Sequence, residues 1–326
     1  MTLLERATTL GVLSEYLKAK QLPHSAGSWE EMREKRVLPA ISKQKLTFKD
    51  LFALLAEGEE FGRNHTFLYQ AKQGEIKKLF DMARIRSIAK RLGHERALEN
   101  PVLVDLPPQP TIVEIRGEHS SDRECRVIKV VERREERRFD SEKIQGNRVL
   151  REWVIDEVRA VNLARLHASG LLEIRIQSRA NSTLYKTELN QMLTMLKDYV
   201  PPASFREISL TKAKHALWQN RVEKNRRVRF SDSIMRNDSG TTLLASTGGE
   251  QADLFRDSGA SSSIDTFLRH GAYCDSSNIW WLPRKGVTER EIHMRLSGEN
   301  NEFAITAACT RKEYDYVLNE LRVFNR

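Results

Sequence analysis

Proline is the feature that most limits how this chain can fold. Six of its nine prolines sit in two places, Pro101, Pro107, Pro108 and Pro110 in one and Pro201-Pro202 in the other, and residues 111–200 contain none. Proline donates no backbone hydrogen bond and restricts the residue before it, so such clusters interrupt helices and sheets. They divide the chain into sections 1–100, 111–200 and 203–326.

The first section has helical periodicity. Leu3, Leu4, Ala7, Leu10, Leu13 and Leu17 recur at helical spacing, and Thr47 stands as an N-cap before Leu51, Phe52, Leu54 and Leu55. Ile76, Leu79, Phe80, Ala83, Ile85, Ile88, Ala89 and Leu92 form a further amphipathic run ending at Gly93. The second section changes to a period of two. Thr111–Arg116, Val127-Ile128 with Val130-Val131, Val149–Val161 and Leu171–Gln177 predict strands, although Trp153-Val154-Ile155 also fits a helix. Asn181-Ser182 then cap a helix carrying Leu184, Tyr185, Leu189, Met192, Leu193 and Leu196.

The third section opens with a helix capped by Ser209. Residues 231–263 are rich in Ser, Gly and Thr and predict long loops or weakly paired strands, with a turn at Gly248-Gly249. Strands are predicted at Ile279–Leu282, Ile292–Leu296 and Phe303–Ala308, the last two joined by a turn over Ser297-Gly298-Glu299-Asn300-Asn301. Thr310 and Glu313 form a capping box for a final helix. The expected fold class is α+β: an N-terminal helical bundle over 1–100, then a mostly antiparallel β-sheet region with packed helices over 111–326, with a secondary break near 201–203.

A chain of 326 residues buries enough surface to need no covalent staple. No apolar run approaches the ~18 residues of a membrane-spanning helix. The first sixteen residues carry Glu5, Arg6 and Glu15 and lack a long apolar run, so no secretory leader is expected. Cys125, Cys274 and Cys309 are too few and too dispersed for a disulfide framework or a Cys-rich zinc module. A reducing, cytoplasmic setting is expected.

Charge is concentrated. The chain carries +9, yet 72–96 contributes +5 and 206–229 contributes +6, leaving −2 for everything else. Clustered cations suit a polyanion, because each neutralised phosphate releases condensed counterions. The candidate nucleic-acid-binding residues are Lys77, Lys78, Arg84, Arg86, Lys90 and Arg91 in the first segment. In the second they are Lys212, Lys214, Arg221, Lys224, Arg226, Arg227 and Arg229. Trp218 interleaves with the second set, and its helical spacing with Ala216 and Leu217 favours a place in the core. A third run, Arg133 to Arg138, mixes signs and predicts a solvated, self-paired face.

Ser87-Ile88-Ala89-Lys90-Arg91-Leu92-Gly93 resembles the first helix and turn of a helix-turn-helix, which would imply a DNA-reading helix after Gly93. The pattern departs at His94-Glu95, and Pro101 limits any second helix to about two turns.

Enzyme signatures are sparse. There is no phosphate-binding Gly-rich loop, no nucleophile elbow and no His-Glu-x-x-His, and the eight histidines show no i, i+4 pair. No cofactor, metal or catalytic residue is predicted. A divergent metal-dependent nuclease would need Asp156 or Glu157 with Glu173-Ile174-Arg175, or Asp105 with Glu114-Ile115-Arg116. In both an arginine stands where a lysine would position water, and the competing expectation is cross-strand ion pairs on an exposed sheet face. His65 is expected to be a buried, hydrogen-bonded histidine.

The leading expectation is a non-enzymatic, backbone-directed nucleic-acid-binding protein with DNA favoured over RNA, serving as a subunit of a larger complex. The alternatives are a protein–protein adaptor or homo-oligomer whose basic segments pair with an acidic partner, and the divergent nuclease. No membrane association is expected.

Overall fold

A computed structural model describes residues 1–120, 123–179, 185–222, 226–249, 252–296 and 299–326. The chain divides into two units, Met1–Phe61 and Gly62–Arg326. The first is helical. Thr9 separates helices Thr2–Ala7 and Leu10–Ala19, its hydroxyl accepting from the Val12 amide at 3.3 Å. Thr47 caps Phe48–Glu60 as expected. Its hydroxyl accepts from the Asp50 amide at 3.2 Å, and the Asp50 carboxylate accepts from the Thr47 amide at 2.8 Å. Leu4, Leu13, Leu17, Met32, Leu54 and Leu55 fill the core of this unit.

The break falls at Phe61–Gly62, upstream of the proline cluster. The reason is that residues 62–71 are a strand, and the helices after it belong with the sheet. Glu75–Phe80, Met82–Leu92 and Glu95–Glu99 bury Leu79, Ile85, Ile88 and Ala97 in the core of the second unit. The proline-rich segment is a connector whose Val102 amide donates to the Val113 carbonyl at 2.8 Å.

The second unit is built on one sheet. Its strands are β1 (Gly62–Ala71), β2 (Thr111–Ser120), β3 (Arg123–Gln145), β4 (Arg148–His167), β5 (Leu171–Gln177), β6 (Phe205–Glu207), β7 (Val228–Arg236), β8 (Thr242–Ser246), β9 (Tyr273–Trp281), β10 (Ile292–Leu296) and β11 (Glu302–Ala308). They run in the order β2-β3-β4-β5-β1-β11-β10-β9-β7-β8, with β6 beside β1. Every described pairing is antiparallel. The fold class is thus α+β, with helices preceding the sheet.

Alternation along β1 assigns the two faces. Phe67, Tyr69 and Ala71 face a core with Ile174, Ile176, Leu189, Met192 and the helices of 75–99. Thr66 faces the other way, its hydroxyl 2.9 Å from that of Tyr314 on helix Arg311–Phe324. That helix starts at the expected Thr310–Glu313 capping box.

The strand expected at Val149–Val161 is β4, so Trp153-Val154-Ile155 is not helical. Helix Tyr185–Leu196 is present, while its expected cap Asn181-Ser182 and the turn residues Ser297-Gly298 lie outside the described residues. Ser209 accepts from the Thr211 amide at 3.3 Å at the start of helix Thr211–Asn220. Residues 231–263 are more regular than expected. They supply most of β7, all of β8, and the start of helix Ser258–Arg269, whose cap is the Asp257 carboxylate accepting from the Ala260 amide. Among the described residues no helix is long and apolar enough to cross a membrane.

Gly62 is needed where β1 meets β11. Its φ is +75°, and a Cβ there would lie 2.1 Å from the Ala307 carbonyl oxygen. Gly74 has φ +87° with open space around it. Gly74→Ala should therefore cost about 1 kcal/mol from backbone strain alone. Gly62→Ala should cost about 3 kcal/mol or more, because the strand pairing must also open. Urea unfolding of the two variants checks the order.

Candidate interaction surfaces

The first basic segment is a pair of helices whose outer side is cationic. Asp81 caps Met82–Leu92, its carboxylate accepting from the Ala83 amide at 2.9 Å. Ile85, Ile88 and Ala89 point inward, and Arg86 and Lys90, one turn apart, point to solvent. Arg84 and Arg91 serve differently. Arg84 donates to the carbonyls of Asp198 and Tyr199, and Arg91 donates to the Asp198 carboxylate at 2.6 Å. That hydrogen bond holds the Asp198 carboxyl below its usual range. Lys77, Lys78, Arg86 and Lys90 remain exposed, and among the described residues Lys78 lies 4.0 Å from the Glu75 carboxylate. Lys72 and Arg96 extend the same exposed set.

The helix-turn-helix resemblance ends at Gly93, which takes the left-handed turn at φ +73°. The next helix, Glu95–Glu99, has five residues, too short to lay a reading face in a groove. His94 instead anchors the turn, its Nδ1 lying 3.0 Å from the Tyr199 hydroxyl.

The second basic segment is largely turned inward. Lys214 is buried and donates to the Asp275 carbonyl at 2.6 Å, and burial lowers its pKa. Arg221 is buried over the Trp218 ring, 4.2 Å from its centroid, and donates to the Asp265 carboxylate at 2.6 Å and the Trp218 carbonyl at 2.7 Å. Arg229 is buried over the Trp280 ring at 4.6 Å and binds Glu291 at 2.6 Å. Arg226 binds Asp253 at 2.5 Å, and Arg227 lies 3.8 Å from Glu320. Lys212 is exposed, and Lys224 lies outside the described residues. Trp218 is a core residue, as expected, and donates to Asp265 at 2.9 Å. The expected phosphate track over 206–229 is therefore corrected. Carboxylates remote in sequence hold Arg221, Arg226, Arg227 and Arg229, and a carbonyl holds Lys214.

Asp156 and Glu157 do not converge with Glu173. Asp156 and Glu157 stand opposite Glu136 and Glu135 on the β3–β4 hairpin, beyond the Leu163–Leu166 stretch where β4 meets β5. Glu173 is fully buried. His167 Nε2 lies 2.5 Å from one of its oxygens, while Arg175 Nη2 at 2.7 Å and the Tyr314 hydroxyl at 2.8 Å donate to the other. Glu114 is held by Arg116 at 2.6 Å and lies 3.6 Å from Lys129. The competing expectation, cross-strand ion pairs on an exposed sheet face, is met only as ion pairing: Arg175–Glu173 and Arg116–Glu114 pair along a single strand, and helix Arg311–Phe324 closes over buried Glu173. Among the described residues no cluster of three His, Cys, Asp or Glu side chains is arranged to hold a metal ion. His65 is hydrogen-bonded as expected but only partly buried, its Nδ1 2.5 Å from Glu302 and its ring stacked 3.6 Å from that of Tyr185.

Sequence reasoning missed two surfaces. One is an open cleft of about 650 Å³ on the β7–β9–β10–β11 face. Its floor is a row across adjacent strands: Trp280 stacked 4.5 Å from His293, whose Nδ1 lies 2.7 Å from the Thr306 hydroxyl. The other is the β3–β4 hairpin, which outruns its neighbours as a two-stranded ribbon. The mixed-sign run Arg133–Arg138, expected as a solvated, self-paired face, lies on it: Arg133 is 3.1 Å from Glu157 and Arg138 3.6 Å from Asp156 on the facing strand, but Arg134 is buried and pairs with Glu132 at 2.5 Å and, on helix Tyr185–Leu196, with Glu188 at 3.0 Å. The same ribbon exposes Phe139, Ile144, Val149, Trp153 and Ile155. The missed signal is the alternation of these apolar residues with charges on both strands.

The Glu173 cluster makes a pH prediction. Burial alone would lower the His167 pKa, but its contacts with Cys125 and Glu173 outweigh this and raise it from 6.5 to about 9. Burial would raise the Glu173 pKa, but Arg175, His167 and Arg165 hold it well below the usual carboxylate range. Folded His167 therefore keeps a proton that the unfolded chain releases near pH 6.5. Its contribution is complete below that pH and is lost as pH rises through about 9. Denaturant titrations at stepped pH should show stability falling by about 1–3 kcal/mol across this window. His167→Gln should be less stable at pH 6 and flatter with pH.

No protein-family model matches the chain, and no curated protein matches it in sequence, so its function is argued from this geometry.

Proposed function

We propose that the chain is a non-enzymatic nucleic-acid-binding protein that engages the phosphate backbone through the outer side of helices Glu75–Phe80 and Met82–Leu92. The observation that carries this reading is the set Lys77, Lys78, Arg86 and Lys90, each exposed, on a segment of charge +5. Arg84 and Arg91 support them by tying the helix to Asp198 and Tyr199. Such a surface meets phosphates as point charges and carries no base-edge readout. Duplex DNA is the favoured polyanion, because its regular phosphate spacing suits cations one helical turn apart. The three cysteines are free and buried, which fits a reducing cytoplasmic compartment. A second reading, a protein–protein adaptor within a complex, is favoured by the neutral, apolar ribbon.

With about four phosphate contacts, log affinity should fall with log salt at a slope near −3.6, and Arg86→Glu with Lys90→Glu should remove about two units of that slope. Arg221→Gln should lower stability and leave the slope unchanged. Fluorescence anisotropy on a duplex between about 50 and 300 mM salt measures both. Affinity that does not change over this range rules the reading out.

A further inference from the structure

Helix Tyr185–Leu196 and strands β1, β5 and β6 border a hollow of about 310 Å³. Its floor is apolar, built on buried Phe67, Tyr69, Leu172, Leu189, Val200 and Phe205. Its rim is charged. On the helix, Lys186, Leu189, Asn190 and Leu193 recur at spacings of three and four, so one stripe faces the hollow. Leu189 is buried and Leu193 partly buried, while Lys186 and Asn190 are exposed. On β6, Phe205 and Glu207 are two residues apart and share a side of the strand. Phe205 is buried, and Glu207, opposite Tyr69 on β1, is exposed. Glu299 adds a second carboxylate to the rim.

Charge and polarity select the occupant. The rim has two carboxylates, Glu207 and Glu299, and one ammonium, Lys186, 3.9 Å from Glu299. Among the described residues Glu207 has no salt-bridge partner. Both carboxylates act on the Tyr69 hydroxyl: burial raises its pKa, and their charges add to the rise against an Asn301 hydrogen bond. An anion entering here would meet surplus negative charge, whereas a cation gains a partner in Glu207. The apolar floor sets the orientation. An ammonium on such a floor would lose water without a partner, so it stays at the rim while an apolar tail fills the hollow. A lysine side chain entering from a partner protein would run the other way, its charged end first.

We propose that this hollow binds a small primary amine with an apolar tail, its ammonium held by Glu207 and Glu299 and its tail packed on Phe67, Leu189 and Phe205. This goes beyond the polyanion reading and does not rest on it.

Isothermal titration calorimetry of the full chain at about pH 7.5 tests it with hexylamine, hexanol and hexanoate, which share a tail and differ in charge. Hexylamine should bind with a Kd near or below about 1 mM, the scale for a ligand of this size. Hexanol should bind about fivefold or more weaker, and hexanoate weaker still. Glu207→Gln should weaken hexylamine about threefold or more and leave hexanol unchanged, a split that loss of packing would not give. Lys186→Gln should tighten hexylamine, because Glu299 then loses its competing cation. Both residues are exposed, so neither exchange disturbs the core. Absence of hexylamine binding up to about 10 mM overturns the proposal. So does hexanol binding as tightly as hexylamine, hexylamine binding indifferent to Glu207→Gln, or hexylamine binding weakened by Lys186→Gln. Nα-acetyl-lysine methylamide binding as tightly as hexylamine overturns it too, since its charged end would have to enter first.

Discussion

Two consecutive residues of β1 fix the packing of the second unit. The His65 ring stacks on Tyr185, at the start of helix Tyr185–Leu196. Thr66, pointing to the opposite face, meets the hydroxyl of Tyr314 on helix Arg311–Phe324. The same Tyr314 hydroxyl donates to Glu173 on the neighbouring β5. One strand therefore sets a helix on each face of the sheet. A buried carboxylate is tolerable only while its cationic partners remain, and removing one from such a cluster costs about 3–5 kcal/mol. His167 on β4, Arg175 on β5 and Tyr314 must all be seated before Glu173 can leave water.

Arginine and lysine divide the work. Arg175 lies 3.8 Å over Tyr314, Arg221 4.2 Å over Trp218 and Arg229 4.6 Å over Trp280, and each also meets a carboxylate. A guanidinium is planar and weakly hydrated, so it stacks on a ring while its edge binds oxygen. Lysine is a strongly hydrated point charge, and Lys77, Lys78, Lys90 and Lys212 stay at the surface. The buried exceptions, Lys129 and Lys214, each lie near an acidic side chain or carbonyl oxygen. The net charge of +9 therefore overstates what a partner meets. Segment 206–229 supplies internal ties, and 72–96 supplies the exposed field.

These distinctions mark what could be read from the sequence. The strand alternation at Leu171–Gln177 and Ile292–Leu296, the N-cap at Thr47 and the capping box at Thr310 are local patterns, and all four appear where expected. β1 was hidden because its polar first half, Arg63 to Thr66, masks the Phe67-Leu68-Tyr69 run between two helical segments. Helix Ser258–Arg269 was hidden because serine and glycine are weak helix formers, and burial of Ile264 and the Asp257 cap override that preference. Among the candidate site residues, the inward turn of Arg221, Arg226 and Arg229 depends on Asp265, Asp253 and Glu291, which only the fold brings near. Local charge counting cannot distinguish a cation awaiting phosphate from one already paired.

The ribbon shows both halves of that problem. Its mixed-sign run was legible as self-pairing, and the pairing has a further consequence. Free strand edges invite open-ended addition of other strands, and charged side chains along an edge discourage it. Here Arg133–Glu157, Arg138–Asp156 and Lys143–Glu152 keep charge along both strands. What stays open is the apolar face. A face covered by one partner closes, whereas an edge that adds strands does not close. Charges that cancel in the sum over 132–159 thus still select between these two modes of association.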